Sequence, residues 1–114
     1  MKMKLILAAA VLAFSANGAL ADFLGGRNAY LDGDYQLAYK EFASTAQTGD
    51  AKSQIGLGLL HTWGLGTHSD FTEGYKWFHV AATQNSTVHP VVRVLAKTNR
   101  NYLAERMTRE AVQR

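Results

Sequence analysis

The chain has no cysteine in 114 residues and only one proline. The first absence excludes disulfides, thiolate zinc sites and a lipid-modified N-terminal cysteine. No segment alternates apolar and polar residues with a sustained period of two, so no sheet is predicted. Catalytic signatures are missing too: neither G-x-S-x-G, S-x-x-K nor H-E-x-x-H occurs. Ser44, Ser53, Ser69 and Ser86 fall in surface or cap contexts. Asp32 with Asp34 reads as a turn plus a helix cap rather than an acid pair. The chain is not expected to be an enzyme.

Long apolar runs are also wanting. Leu5 to Phe14 is ten residues, short of the roughly 20 that span a bilayer. It follows the positive start "MKMK" and precedes Ala19-Leu20-Ala21, a small-x-small cleavage pattern. Residues 1–21 therefore read as a cleavable signal peptide, and the protein as exported, to the periplasm or beyond. The remaining 93 residues make one small domain of marginal buried area. Charge is divided along it. Residues 22–85 carry four bases and seven acids, net −3, and residues 86–114 carry six bases and two acids, net +4. An exported chain with an acidic body is not expected to bind nucleic acid.

What the chain does contain is a repeat. "DYQLAYKEFASTAQTGD" (34–50) overlays "DFTEGYKWFHVAATQNS" (70–86) at an offset of 36. Asp34 and Asp70 stand where helix N-caps belong. Tyr35, Ala38, Tyr39, Phe42 and Ala46 follow the spacing of one helix face. Phe71, Gly74, Tyr75, Phe78 and Ala82 copy it. Gly49 and Asn85 suit a left-handed helix stop, and Asp50 and Ser86 can each cap the next helix.

Between the copies lies "AKSQIGLGLLHTW" (51–63), apolar or small almost all round, hence buried on several sides. Gly56 and Gly58 each cost about 1 kcal/mol against alanine in a helix, which close helix approach can offset. Upstream, Phe23 to Leu31 before "DGD" predicts a shortened first helix. Downstream, a helix starts near His89 or Pro90. Its expected buried stripe is Val91, Val94, Leu95, Thr98, Tyr102 and Leu103, with Thr108 capping a last short helix to Arg114.

The stretch "AKSQIGLGLLHTWGLGTHSDFTEGYKWFHVAATQN" resembles the Sel1-like repeat, a relative of the tetratricopeptide repeat. The positions carrying the likeness are Ala51, Leu57-Gly58, His61, Gly64-x-Gly66, Asp70, Gly74, Trp77-Phe78 and Ala81-Ala82. His61 replaces the usual tyrosine and Gly74 a usual alanine. Asp34–Gly49 looks like the second helix of a preceding, degenerate repeat, and "RNYLAERMTREAVQR" like a terminal cap. The resemblance implies an α-solenoid of antiparallel helix pairs whose concave side binds proteins or peptides. Family members act as adaptors or regulators, and secreted bacterial ones serve envelope signalling and host contact. A cysteine-rich branch is associated with penicillin binding, and this chain lacks its cysteines.

The densest cluster of reactive side chains is "HTWGLGTHSD" (61–70). Its G-x-G lacks a following lysine or a preceding strand, so it reads as an interhelical turn rather than a phosphate cradle. His61, His68, His79 and His89 show no metal-ligand spacing. His61 is expected to be a partly buried ring with one hydrogen bond, and no cofactor or metal is expected. Trp77 is assigned to the core. Trp63, with Gln54, Ile55, Leu59 and Thr62, is assigned to the ligand-facing side. Arg93, Lys97 and Arg100, at i, i+4 and i+7, form a basic stripe that extends the contact.

The expected architecture is thus all-α: a signal peptide at 1–21, a repeat region at 22–85 and capping helices at 86–114. The expected function is that of an exported interaction module for a protein or peptide. The stack is short enough that dimerisation or partner binding should stabilise it. The basic helix also suits anionic lipid headgroups or envelope polymers. The alternatives are a wall-directed amide or β-lactam hydrolase and a peptidoglycan or glycan binder.

Overall fold

Two aspartates and two phenylalanines, each pair 36 residues apart, organise the chain. The computed structural model describes residues 21–84 and 88–113. The predicted signal segment through residue 20, Asn85 as a helix stop and Ser86 as a cap lie outside them. Among the described residues five helices follow one another: α1 (Ala21–Leu31), α2 (Tyr35–Ala46), α3 (Ala51–Trp63), α4 (Phe71–Thr83) and α5 (Pro90–Gln113). No strand occurs among the described residues. The short connections fold successive helices back on one another. Each helix packs chiefly on its chain neighbours, with smaller contacts of α1 and α5 on α3.

The caps stand where the sequence places them. Asp34 accepts the Leu37 N–H at 3.2 Å and Asp70 the Glu73 N–H at 3.1 Å. These bonds satisfy donors that the first helical turn leaves unpaired. Asp50 occupies the third N-cap position but spends its carboxylate otherwise. It accepts the Ser53 hydroxyl at 2.6 Å and pairs with Lys52 at 3.4 Å. Gly49 adopts the left-handed backbone, φ 97°.

Each of the two repeated phenylalanines seats its ring on glycine, although the glycines themselves are not 36 residues apart. A Cβ built on Gly26 of α1 would strike the Phe42 ring, and one on Gly56 of α3 would lie 2.8 Å from it. Phe42 of α2 is therefore clasped from both sides. One unit later a Cβ on Gly58 would lie 2.6 Å from the Phe78 ring. The glycines' helix-propensity cost is thus set against burial of two phenylalanines that are 1% exposed. Each such burial stabilises by about 1.5–3 kcal/mol.

α3 is the central helix, and every residue from Ser53 to Thr62 is buried. α5 differs from expectation in two ways. Leu103 is buried as expected and Leu95 and Tyr102 are half-buried, but Val92, Ala96 and Asn99 complete the buried stripe, whereas Val91 and Val94 are 47% and 60% exposed and Thr98 is exposed. It also runs unbroken to Gln113. Thr108 is interior to it, its hydroxyl returned to the Ala104 carbonyl at 2.9 Å, and caps no separate helix. Small Ala96 and Asn99, the latter bonding its own helix at the Leu95 carbonyl, allow α5 to lie close on its neighbour. That close approach selects the stripe.

Candidate partner-binding surface

Several donors of the loop 64–70 are used internally. The Gly64 and Leu65 N–H groups bond the Leu60 carbonyl, the latter at 2.9 Å. Asp70 N–H bonds the His61 carbonyl at 2.8 Å, and the Ser69 hydroxyl bonds Thr62 O at 3.0 Å. These are the carbonyls that the end of α3 leaves unpaired. Gly64 holds the left-handed stop at φ 66°. Gly66, at φ 73°, lies where any Cβ would collide with the Tyr35 carbonyl at the start of α2. The two glycines end one helix and dock its turn against the preceding unit.

His61 is buried at 7% exposure. Its Nε2 pairs with the Tyr39 hydroxyl at 3.2 Å, the rings meeting edge to face, and its Nδ1 meets no hydrogen-bond partner. Burial pushes its pKa below the ordinary 6.5, against the opposing pull of the Glu73 and Asp70 carboxylates and with a smaller push from Lys76. Among the described residues no three His, Asp or Glu side chains converge as a metal site would require.

The residues assigned to a ligand-facing side divide sharply. Gln54, Ile55, Leu59 and Thr62 are each 3% exposed or less, so they do not line an open groove. α3 is covered on all the sides these residues occupy, as its lack of a polar face required. Gln54 bonds the Ala46 carbonyl at 3.1 Å and accepts a bond from Gln84. The Thr62 hydroxyl returns to Gly58 O at 2.7 Å.

The basic stripe divides as well. Arg93 directs Nη1 to the carbonyls of Ala82 at 3.1 Å and Gln84 at 2.8 Å, which closes the end of α4. Arg100 reaches the His79 Nδ1 at 3.3 Å, while Lys97 is exposed. Arg93 and Arg100 thus lie along the α4 side and not on a common open line.

Trp63 remains accessible. Half-buried at the end of α3, it packs on Tyr102 of α5, ring centroids 6.4 Å apart. Arg106 lies over Phe71 at 5.4 Å and over Tyr102 at 6.0 Å, donates to the Tyr102 hydroxyl at 3.1 Å, and faces Glu110 at 3.8 Å. Trp63, Phe71, Tyr102 and Arg106 therefore form one half-exposed aromatic edge joining three helices. Sequence reasoning found only the tryptophan. The other signal was available: Tyr102 and Arg106 are four apart, one turn of a helix face.

Trp77, expected in the core, is half-buried against it, with Lys76 5.3 Å from its ring. No helix among the described residues is long and apolar enough to cross a membrane. Comparison with family models, curated proteins and solved structures found no match for the chain. Fold and edge define the class: an all-helical protein of consecutively packed helices with an aromatic, arginine-bearing edge.

Proposed function

We propose that the chain is a Sel1-like, tetratricopeptide-related α-solenoid, exported from the cell, that binds a protein or peptide as an adaptor or regulator. The observation carrying this reading is the half-exposed cluster of Trp63, Tyr102 and Arg106 at the junction of α3 and α5. Tryptophan, tyrosine and arginine are the side chains most enriched among residues that dominate interface energies. Here they are already held by mutual packing, so little side-chain freedom is lost on binding. The register of 36 that relates Asp34 to Asp70 and Phe42 to Phe78 supports the repeat assignment. The signal-like residues 1–21 support export.

The test is a crosslinking pull-down from the native envelope with the wild-type chain and with Trp63→Ala and Tyr102→Ala. Both variants should keep their helical circular dichroism and lose the captured partner. Unchanged capture by both would overturn the assignment of this edge.

A further inference from the structure

Among the described residues, Nδ1 of His61 is the one buried side-chain nitrogen or oxygen without a hydrogen-bond partner. The ring's other nitrogen, Nε2, meets the Tyr39 hydroxyl of α2 at 3.2 Å. A neutral ring avoids an unpaired N–H by carrying its proton on Nε2 and donating it to the Tyr39 oxygen. Nδ1 is then a bare acceptor. The cationic ring has an N–H on both nitrogens, and the one on Nδ1 would be buried, charged and unpaired. Such a group costs far more than a neutral unpaired acceptor. The packing around His61 therefore suits the neutral ring alone.

The loop 64–70 is hung on the same turn of α3. Leu65 N–H bonds the Leu60 carbonyl, Asp70 N–H the His61 carbonyl, and the Ser69 hydroxyl the Thr62 carbonyl. On α2 the loop rests through Gly66 against the Tyr35 carbonyl, one helical turn before Tyr39. The His61–Tyr39 bond and the Gly66–Tyr35 approach are thus neighbouring contacts of one joint, and Trp63 lies two residues from it.

The charges that act on the ring belong to α4 and its cap. Glu73 and Asp70 favour its protonation and Lys76 opposes it. From α2 the ring meets the Tyr39 hydroxyl, and among the described residues no charged group of α1 or α5 acts on it. A charged ring is therefore drawn toward the start of α4 and away from Tyr39.

We propose that His61 is a proton-operated latch: neutral, it holds the end of α3 and the loop 64–70 against α2 through Tyr39; protonated, it leaves that joint, the loop loosens and Trp63 loses its fixed position. Burial outweighs the pull of the two carboxylates and keeps the pKa below the ordinary 6.5, so the latch is closed at neutral pH and opens in acid. As a regulation of partner binding, the latch rests on the reading of the Trp63 edge as the binding surface.

The test needs no partner. Amide hydrogen exchange of the purified chain is followed by NMR from pH 7 into acid, each rate being divided by the intrinsic rate at that pH. Protection of the Leu65 and Asp70 amides should fall by up to about tenfold per pH unit below 6.5. The Asp34 amide, bonded to the Ala29 carbonyl at the turn between α1 and α2, should keep its protection. His61→Gln should remove the pH dependence at Leu65 and Asp70. Tyr39→Phe, which deletes only the hydroxyl, should lower their protection at pH 7 and flatten its pH dependence. In a Trp77→Phe background the remaining indole emission belongs to Trp63 and should become more open to acrylamide quenching over the same window.

Persistence of the pH dependence in His61→Gln overturns the proposal. So does an equal loss of protection at Asp34, which marks cooperative unfolding of the whole chain, and so does Trp63 quenching that stays constant across the window. None of these readings uses the captured partner, so failure of the latch is distinguishable from failure of the Trp63 edge in the pull-down.

Discussion

The Phe78 ring rests on Gly58, at a separation where even a methyl group on the glycine would stand 2.6 Å from a ring carbon. The same relation holds Phe42 between Gly26 and Gly56. Substituting alanine opposes two effects. Alanine favours the helix by about 1 kcal/mol, while forcing a close-packed ring aside costs about 1–3 kcal/mol. Since the atoms met belong to a fully buried ring, the second effect wins. Gly58→Ala should lower stability in urea denaturation, whereas an alanine at Gly25, which would meet only the flexible Glu41 carboxylate, should leave stability unchanged or raise it.

Arg93 is a structural cation in this arrangement. Its guanidinium closes the carbonyls of Ala82 and Gln84 at the end of α4. Hydrogen bonds to charged groups contribute about 1.5–3 kcal/mol. Arg93→Ala should cost an amount of that order, measured as a lowered denaturation midpoint. Lys97→Ala, at an exposed position, should alter stability by less than about 0.5 kcal/mol.

His61 makes stability depend on pH. Its folded pKa lies below the 6.5 of an unfolded chain because burial penalises the charged ring. Above pH 6.5 both states are neutral at this site and its contribution is constant. As pH falls below 6.5 the unfolded chain takes up the proton first, so stability declines until the folded pKa is passed. His61→Gln should flatten the stability-versus-pH curve in that window relative to wild type, with little difference between the two slopes above pH 7.

The caps offer a paired measurement. Asp34→Ala and Asp70→Ala each remove one side-chain acceptor from a first-turn N–H. Each should cost about 1 kcal/mol. Similar losses at the two sites would reflect their equivalence in the repeat.

Much of this fold was legible. Asp34, Asp70, Gly49 and Gly64 mark helix ends by local chemistry that needs no tertiary partner, and all four are where the sequence puts them. The stripe of α5 was legible only in part. Of the expected Val91, Val94, Leu95, Thr98, Tyr102 and Leu103, the structure buries Leu103 and half-buries Leu95 and Tyr102, but it leaves Val91, Val94 and Thr98 exposed and buries Val92, Ala96 and Asn99 in their place. Periodicity reports which face is apolar, not which neighbour is present to cover it. Asn99 also hides its polarity by bonding Leu95 O within its own helix. The assignment of Gln54, Ile55, Leu59 and Thr62 to a ligand-facing side conflicted with a signal in the same segment. A helix with no polar face leaves none for solvent.

The most direct measurement of the account is site-specific photocrosslinking in intact cells, with the reactive group at position 63 or, as a control, at the exposed Lys40 on α2. A discrete protein adduct from position 63, absent from position 40, is the predicted result. No protein adduct from position 63, or the same adducts from both positions, would contradict it.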